Sequence, residues 1–147
     1  MNTRKAATRY LQAVGGLLIF LGLVHIAATP HIPELLRGSP VAVYERAVGP
    51  TLLNHVLAGI LLLPLGFTTW LAAVASERGE GWARRILVVN TIVVFTLPLS
   101  IAVFMHRPEY YRAPLFLSGV LLVVVISLLM AVATLSRMRT QWRRDHR

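Results

Sequence analysis

Four of the five histidines lie at or next to the ends of long apolar stretches of the chain. They are His25, His31, His55 and His106. Imidazole is a common ligand of Zn, Cu, Fe and Ni, and an ionisable side chain beside lipid is energetically costly. The residue type and its position therefore indicate a ligand site, although the spacing of these histidines matches no short metal-binding motif.

Four stretches without Asp, Glu, Lys or Arg are each long enough to cross a membrane. They cover residues 10–28, 51–75, 86–105 and 113–135. A helix needs roughly 20 apolar residues to cross a hydrocarbon core about 30 Å thick. Hydrophobic residues make up 56% of the chain, and the mean hydropathy is +0.65. The sequence therefore predicts one all-α domain, residues 1–147, with four antiparallel transmembrane helices in a bundle.

The basic residues indicate how this bundle is oriented in the cell membrane. The amino-terminal arm, the second connection and the carboxyl-terminal tail together hold eleven of the 15 Lys and Arg residues, and the other two connections hold four. Because positive charge favours the cytoplasmic side, both termini are predicted to be cytoplasmic. The net charge of +9 lies beside the span ends, which favours contact with anionic lipid and not with nucleic acid.

The connections between the spans carry further structural signals. The first connection holds four prolines, and within it Ser39 as helix cap and Pro40 at the first helical position predict a short helix ending near Val48. Its apolar stripe predicts that it lies flat on the outer surface. Pro64 and Pro98 predict kinks in the second and third spans.

In each of the first two spans, small residues recur at helical spacing on the same face as the histidine. One face of the first span and one face of the second are predicted to face the bundle, because small residues mark the faces where membrane helices approach closely. His25 and His55 lie on these faces and are expected to be neighbours about one turn below the outer interface. The two faces consist of Gly15, Leu18, Gly22 and His25, and of His55, Gly59, Leu62 and Gly66.

The same outer end of the bundle holds the other residues of the predicted site. His25 and His55 are the expected core ligands, with His31 and His106 as further metal ligands. Two histidines on facing helices suit either a b-type haem or a divalent transition-metal ion. Supporting side chains, which would hydrogen-bond a ring nitrogen or complete the ligand set, are Asn54, Glu34 and Glu109.

Three functional classes remain open at this stage. The first is a membrane protein that binds haem or a transition metal, and the second is a cofactor-free structural or accessory subunit that packs against itself or a larger membrane complex. A small transporter ranks third, because no Asp or Glu lies within any span. The chain has no phosphate-binding loop and no nucleophile elbow, so whether it is an enzyme stays open. A cleaved signal peptide is the alternative interpretation of the first span, which is long for that purpose.

The predicted topology can be tested by reporter fusions. A reporter after Arg147 or near Gly79 is expected to lie in the cytoplasm, and one near Gly38 outside, because eleven basic residues flank one side and four the other. An external carboxyl terminus would contradict the orientation.

Overall fold

The fold is entirely helical in the residues that the structure describes. The computed structural model describes residues 3–38, 40–104 and 114–145, and side chains within 5–38, 40–104 and 117–139. Four segments are long and apolar enough to cross a membrane, which confirms the predicted fold class: Lys5–Leu36, Val41–Glu77, Gly81–Phe104 and Leu117–Arg139. The helices are α1 (Thr3–Ala28), α2 (Ile32–Leu36, after a 3₁₀ turn at Thr29–His31), α3 (Val41–Glu77), α4 (Gly81–Phe104) and α5 (Pro114–Asp145).

The helix α3 is longer than the second predicted span because it begins at Val41 and continues through Pro50, and Pro64 lies within the span itself. The prediction of a separate short helix that ends near Val48 is wrong. Gly49 before Pro50 has no Cβ, which removes one of the clashes between proline and a preceding helical residue, although α3 also tolerates Leu63 before Pro64. The segment from residue 41 to 48 therefore forms the first turns of α3 and is not a separate helix lying flat.

The first turn of α3 is organised by the residue before it. The carbonyl oxygen of Pro40 accepts hydrogen bonds from the backbone N–H groups of Val43 (2.9 Å) and Tyr44 (3.0 Å). Ser39, the predicted cap, lies outside the described residues. The short helix that does stand between the first two long helices is α2, in which Glu34 occupies the first turn and Ile32 is buried.

The chain forms two compact units, and α1 and α3 each contribute to both. We call residues 15–67 the hairpin unit, because they comprise the second part of α1, α2 and most of α3. We call residues 1–14 and 68–147 the bundle unit, which holds the end of α3 together with α4 and α5. The histidines of the predicted site that the structure describes all belong to the hairpin unit.

The bundle unit combines a packed apolar core with hydrogen bonds between helices. Leu11, Leu87, Ile126 and Met130 are fully buried in it. The side-chain amide of Asn90 donates to the hydroxyl oxygens of both Thr68 (3.0 Å) and Thr69 (2.9 Å), which joins α4 to α3.

Helices α4 and α5 are joined by two further polar contacts. The hydroxyl groups of Thr91 and Thr134 are hydrogen-bonded at 3.0 Å. The hydroxyl of Ser127 donates mainly to the carbonyl oxygen of Val123 in its own helix (2.7 Å), and it lies 3.2 Å from the carbonyl oxygen of Val94 in α4. Such bonds between membrane helices contribute about 0.6 kcal/mol each on average, so they select the relative register of the helices more than they supply bulk stability.

In the hairpin unit, α1 and α3 touch backbone to backbone at glycines. A Cβ atom on Gly22 would lie 2.9 Å from the carbonyl oxygen of Gly59, and one on Gly66 would lie 2.5 Å from that of Gly15. Gly15 precedes Gly22 by two helical turns, and Gly66 follows Gly59 by the same interval. The two helix segments are therefore antiparallel and in the register that the spacing of the small residues predicts.

The replacement Gly66→Ala tests this contact. The new methyl group would meet the carbonyl oxygen of Gly15 and the backbone nitrogen of Ile19 (2.8 Å), which are backbone atoms that cannot rotate away. We expect a loss of about 1–3 kcal/mol in the free energy of unfolding, measured in detergent.

The matched control is Gly119→Ala in α5, where the structure describes no atom within 4 Å of the new Cβ position. This variant should be neutral or more stable by up to about 1 kcal/mol, because alanine favours a helix over glycine. Equal effects of the two replacements would mean that α1 and α3 are not in backbone contact.

Candidate functional site

The hairpin unit brings His25 of α1 and His55 of α3 into direct contact. Their ring centroids are 4.6 Å apart, and the ring planes are inclined by 33°. Both side chains are half-buried. The two residues that the glycine spacing predicts to face each other are therefore neighbours across antiparallel helices.

The glycine contact explains why these two rings can meet. Gly22 lies three residues before His25 on α1, and Gly59 lies four residues after His55 on α3, so each glycine is about one turn from its histidine on the same face. A Cβ atom on Gly59 would lie only 3.2 Å from the Cβ atom of His25. A larger residue at either glycine would separate the backbones and with them the rings.

The orientation of the His25 ring is set by its own helix. Its Nδ1 atom lies 2.9 Å from the carbonyl oxygen of Leu21. A carbonyl oxygen only accepts hydrogen bonds, so Nδ1 carries the proton, and in the neutral ring the lone pair is on Nε2. The hydroxyl of Thr29 donates to the carbonyl oxygen of His25 (2.8 Å), which satisfies one of the last carbonyl groups of α1.

The other described residues of the predicted site do not join this pair. His31 and Glu34 are exposed, and the Nδ1 atom of His31 lies 3.8 Å from a carboxylate oxygen of Glu34. Asn54 is exposed on α3, and the partner of the His25 ring is the Leu21 carbonyl and not this amide. Within the described ranges, no three His, Asp or Glu side chains are grouped closely enough to hold a metal ion.

His106 and Glu109 lie outside the residues that the structure describes. Their part in the predicted site therefore remains a prediction from the sequence.

The geometry distinguishes between the two cofactors that the sequence leaves open. In a bis-imidazole haem the two rings bind iron from opposite faces of the macrocycle. His25 and His55 contact each other, with centroids 4.6 Å apart, and this leaves no space for a macrocycle between them. The contact between the two rings therefore does not accommodate a bis-imidazole haem.

Sequence reasoning missed a buried charge in the bundle unit. Arg137, expected to anchor in the lipid headgroups, is only 8% exposed, and its guanidinium lies 3.8 Å from the carboxylate of Glu77 at the end of α3. In the folded chain Arg137 continues the stripe of buried residues Ile126, Met130 and Ala133, but the span is so uniformly apolar that its sequence does not mark this stripe.

Comparison with protein-family models, with curated proteins and with solved structures found no match to this chain. What is known of the chain's class therefore comes from its own helices. Four candidate transmembrane helices are compatible with a multi-pass membrane protein in contact with the lipid bilayer.

The contact between the two histidines can be tested by cross-linking, because the chain has no cysteine. The double variant His25→Cys/His55→Cys is expected to be joined efficiently by a short bismaleimide in membranes. In the control His25→Cys/Asn54→Cys, the second thiol lies about 100° around α3 from position 55, so cross-linking should be several-fold weaker. Equal cross-linking of the two pairs would contradict the orientation of His55.

Proposed function

We propose that this chain is a multi-pass membrane protein that binds one first-row transition-metal ion through His25 and His55. The observation that carries the proposal is the contact of the two rings, whose centroids are 4.6 Å apart on neighbouring helices. Two imidazoles at this separation are close enough for each to direct one nitrogen atom toward a common ion, with metal–nitrogen distances of about 2.0–2.1 Å.

The hydrogen bond of His25 supports the role of a ligand. Histidines that bind metals usually donate their other N–H group to a carboxylate or a backbone carbonyl, which fixes the tautomer and the ring orientation. The carbonyl of Leu21 accepts such a bond from Nδ1, and the lone pair on Nε2 is then available to an ion. The ligand is thus oriented before the metal arrives.

The surroundings of the pair favour an exchangeable ion over a permanently held one. Two protein ligands leave coordination positions for water, and His25 lies three residues before the end of α1 at Ala28. No carboxylate lies within residues 10–28 or 51–75 to neutralise a divalent charge. Binding should follow the usual order for divalent ions at nitrogen ligands, with Cu²⁺ tighter than Ni²⁺ or Zn²⁺.

The proposal is tested by metal titration of untagged protein in detergent. We expect one Cu²⁺ or Ni²⁺ per chain and no uptake of Mg²⁺, which prefers oxygen ligands. His25→Gln and His55→Gln should each weaken binding by at least roughly tenfold, because each removes half of the imidazole ligands. The control His31→Gln removes an exposed imidazole outside the pair and should leave affinity unchanged.

The alternative is a cofactor-free structural or accessory protein in which the two rings only pack against each other. It predicts that the double variant His25→Gln/His55→Gln has an altered thermal stability and the same metal uptake as the unchanged protein. The proposed metal site would be overturned in favour of this alternative if the protein took up none of these ions. It would also be overturned if His31→Gln weakened metal binding as much as His25→Gln and His55→Gln do.

A further inference from the structure

A groove between α4 and α5 lies at the end of these helices where basic residues are concentrated. It has a volume of about 540 Å³. Helix α4 supplies most of its lining and α5 supplies one side chain. The lining residues are Gly81, Arg84, Arg85, Val88, Val89 and Met138.

We propose that this groove binds one anionic phospholipid, with Arg84 and Arg85 holding the phosphate and the apolar floor holding the first part of an acyl chain. The inference is independent of the histidine pair, because the groove belongs to the bundle unit. Basic pockets between transmembrane helices are a recurrent way of binding acidic lipid headgroups.

The charge of the groove fits an anion. Arg84 and Arg85 are both exposed, so their guanidinium groups are accessible at its mouth. The described acidic side chains near the groove are paired with other residues. Glu77 pairs with the buried Arg137, and a carboxylate oxygen of Glu80 accepts a hydrogen bond from the indole N–H of Trp82 at 2.5 Å.

The apolar part of the groove favours a lipid over a soluble phosphate. Val88 and Val89 lie one helical turn from the arginines along α4, and Met138 lies opposite them on α5. A soluble anion would gain nothing from these side chains, whereas an acyl chain below a phosphate would contact all three. Guanidinium groups also match the geometry of phosphate oxygens with paired hydrogen bonds.

The depth of the groove also suits a headgroup. Trp82 is half-exposed two residues before Arg84, and indole rings prefer the interface between lipid and water. Arg84 and Arg85 then lie at the level of the phosphates, and Val88 and Val89 reach into the hydrocarbon below them. The order from polar to apolar along α4 is the order along a phospholipid.

Native mass spectrometry of the full-length protein in detergent tests the proposal, with phosphatidylglycerol and phosphatidylcholine as probes. We expect one phosphatidylglycerol molecule to bind at least tenfold more tightly than phosphatidylcholine. The double variant Arg84→Gln/Arg85→Gln should weaken phosphatidylglycerol binding roughly 10- to 100-fold, because each replacement removes a guanidinium whose charge-assisted hydrogen bonds to the phosphate a general attraction to the lipid surface does not supply.

The matched control is Arg78→Gln/Arg139→Gln, which removes two exposed arginines that do not line the groove. It should bind phosphatidylglycerol within about twofold of the unchanged protein, and thermal unfolding checks that both double variants are folded. An equal loss in the two double variants would mean a general charge effect and would overturn the site. Displacement of the lipid by millimolar inorganic phosphate would also overturn it, because the ligand would then be a free anion.

Discussion

Helices in a membrane gain little from burying apolar side chains against each other, because lipid tails are equally apolar. Their association depends on close van der Waals contact and on polar contacts between helices. In the hairpin unit that contact is made by backbone atoms, at Gly15 and Gly22 of α1 and at Gly59 and Gly66 of α3. The contact of His25 with His55 depends on it, since the rings meet only because the two backbones are this close.

The bundle unit uses polar groups in addition to close packing. Asn90 joins α4 to α3 through two threonine hydroxyls, and the hydroxyls of Thr91 and Thr134 join α4 to α5. A buried side-chain amide or hydroxyl must find a partner, so these residues penalise any register in which the partners are out of reach. The same holds for the charged pair of Arg137 and Glu77. Burying a guanidinium without an anionic neighbour would cost far more free energy than burying an unpaired amide or hydroxyl.

The two proposed sites use chemistry that the apolar bulk of the chain lacks. His25 and His55 are neutral nitrogen donors that suit a transition-metal ion, whereas Arg84 and Arg85 are permanent cations that suit a phosphate. Their surroundings follow the same division. The histidines lie half-buried between two helices, and the arginines are exposed at the mouth of a groove with an apolar floor.

The fold class, the four membrane-length helices and the faces of α1 and α3 that carry the histidines can all be predicted from the order of the residues. These are properties of apolar length and helical periodicity, which any single helix expresses along its own chain. Helical spacing also placed His25 beside His55, because small residues on both helices marked the faces that meet. The passage of α3 through Pro50 runs against the usual effect of proline, which ends or kinks a helix.

The remaining features of the two sites depend on how the helices pack against each other. Whether Arg137 is buried depends on Glu77, which is distant in sequence and reaches it only when α3 and α5 are folded together. The inclination of the histidine rings and the choice of the Leu21 carbonyl over Asn54 as the partner of His25 depend on rotamers selected by packing. The groove beside Arg84 requires the surfaces of two helices. Each of these features depends on which surfaces of two helices come into contact. The periodicity of one helix carries no information about the shape of the helix that packs against it.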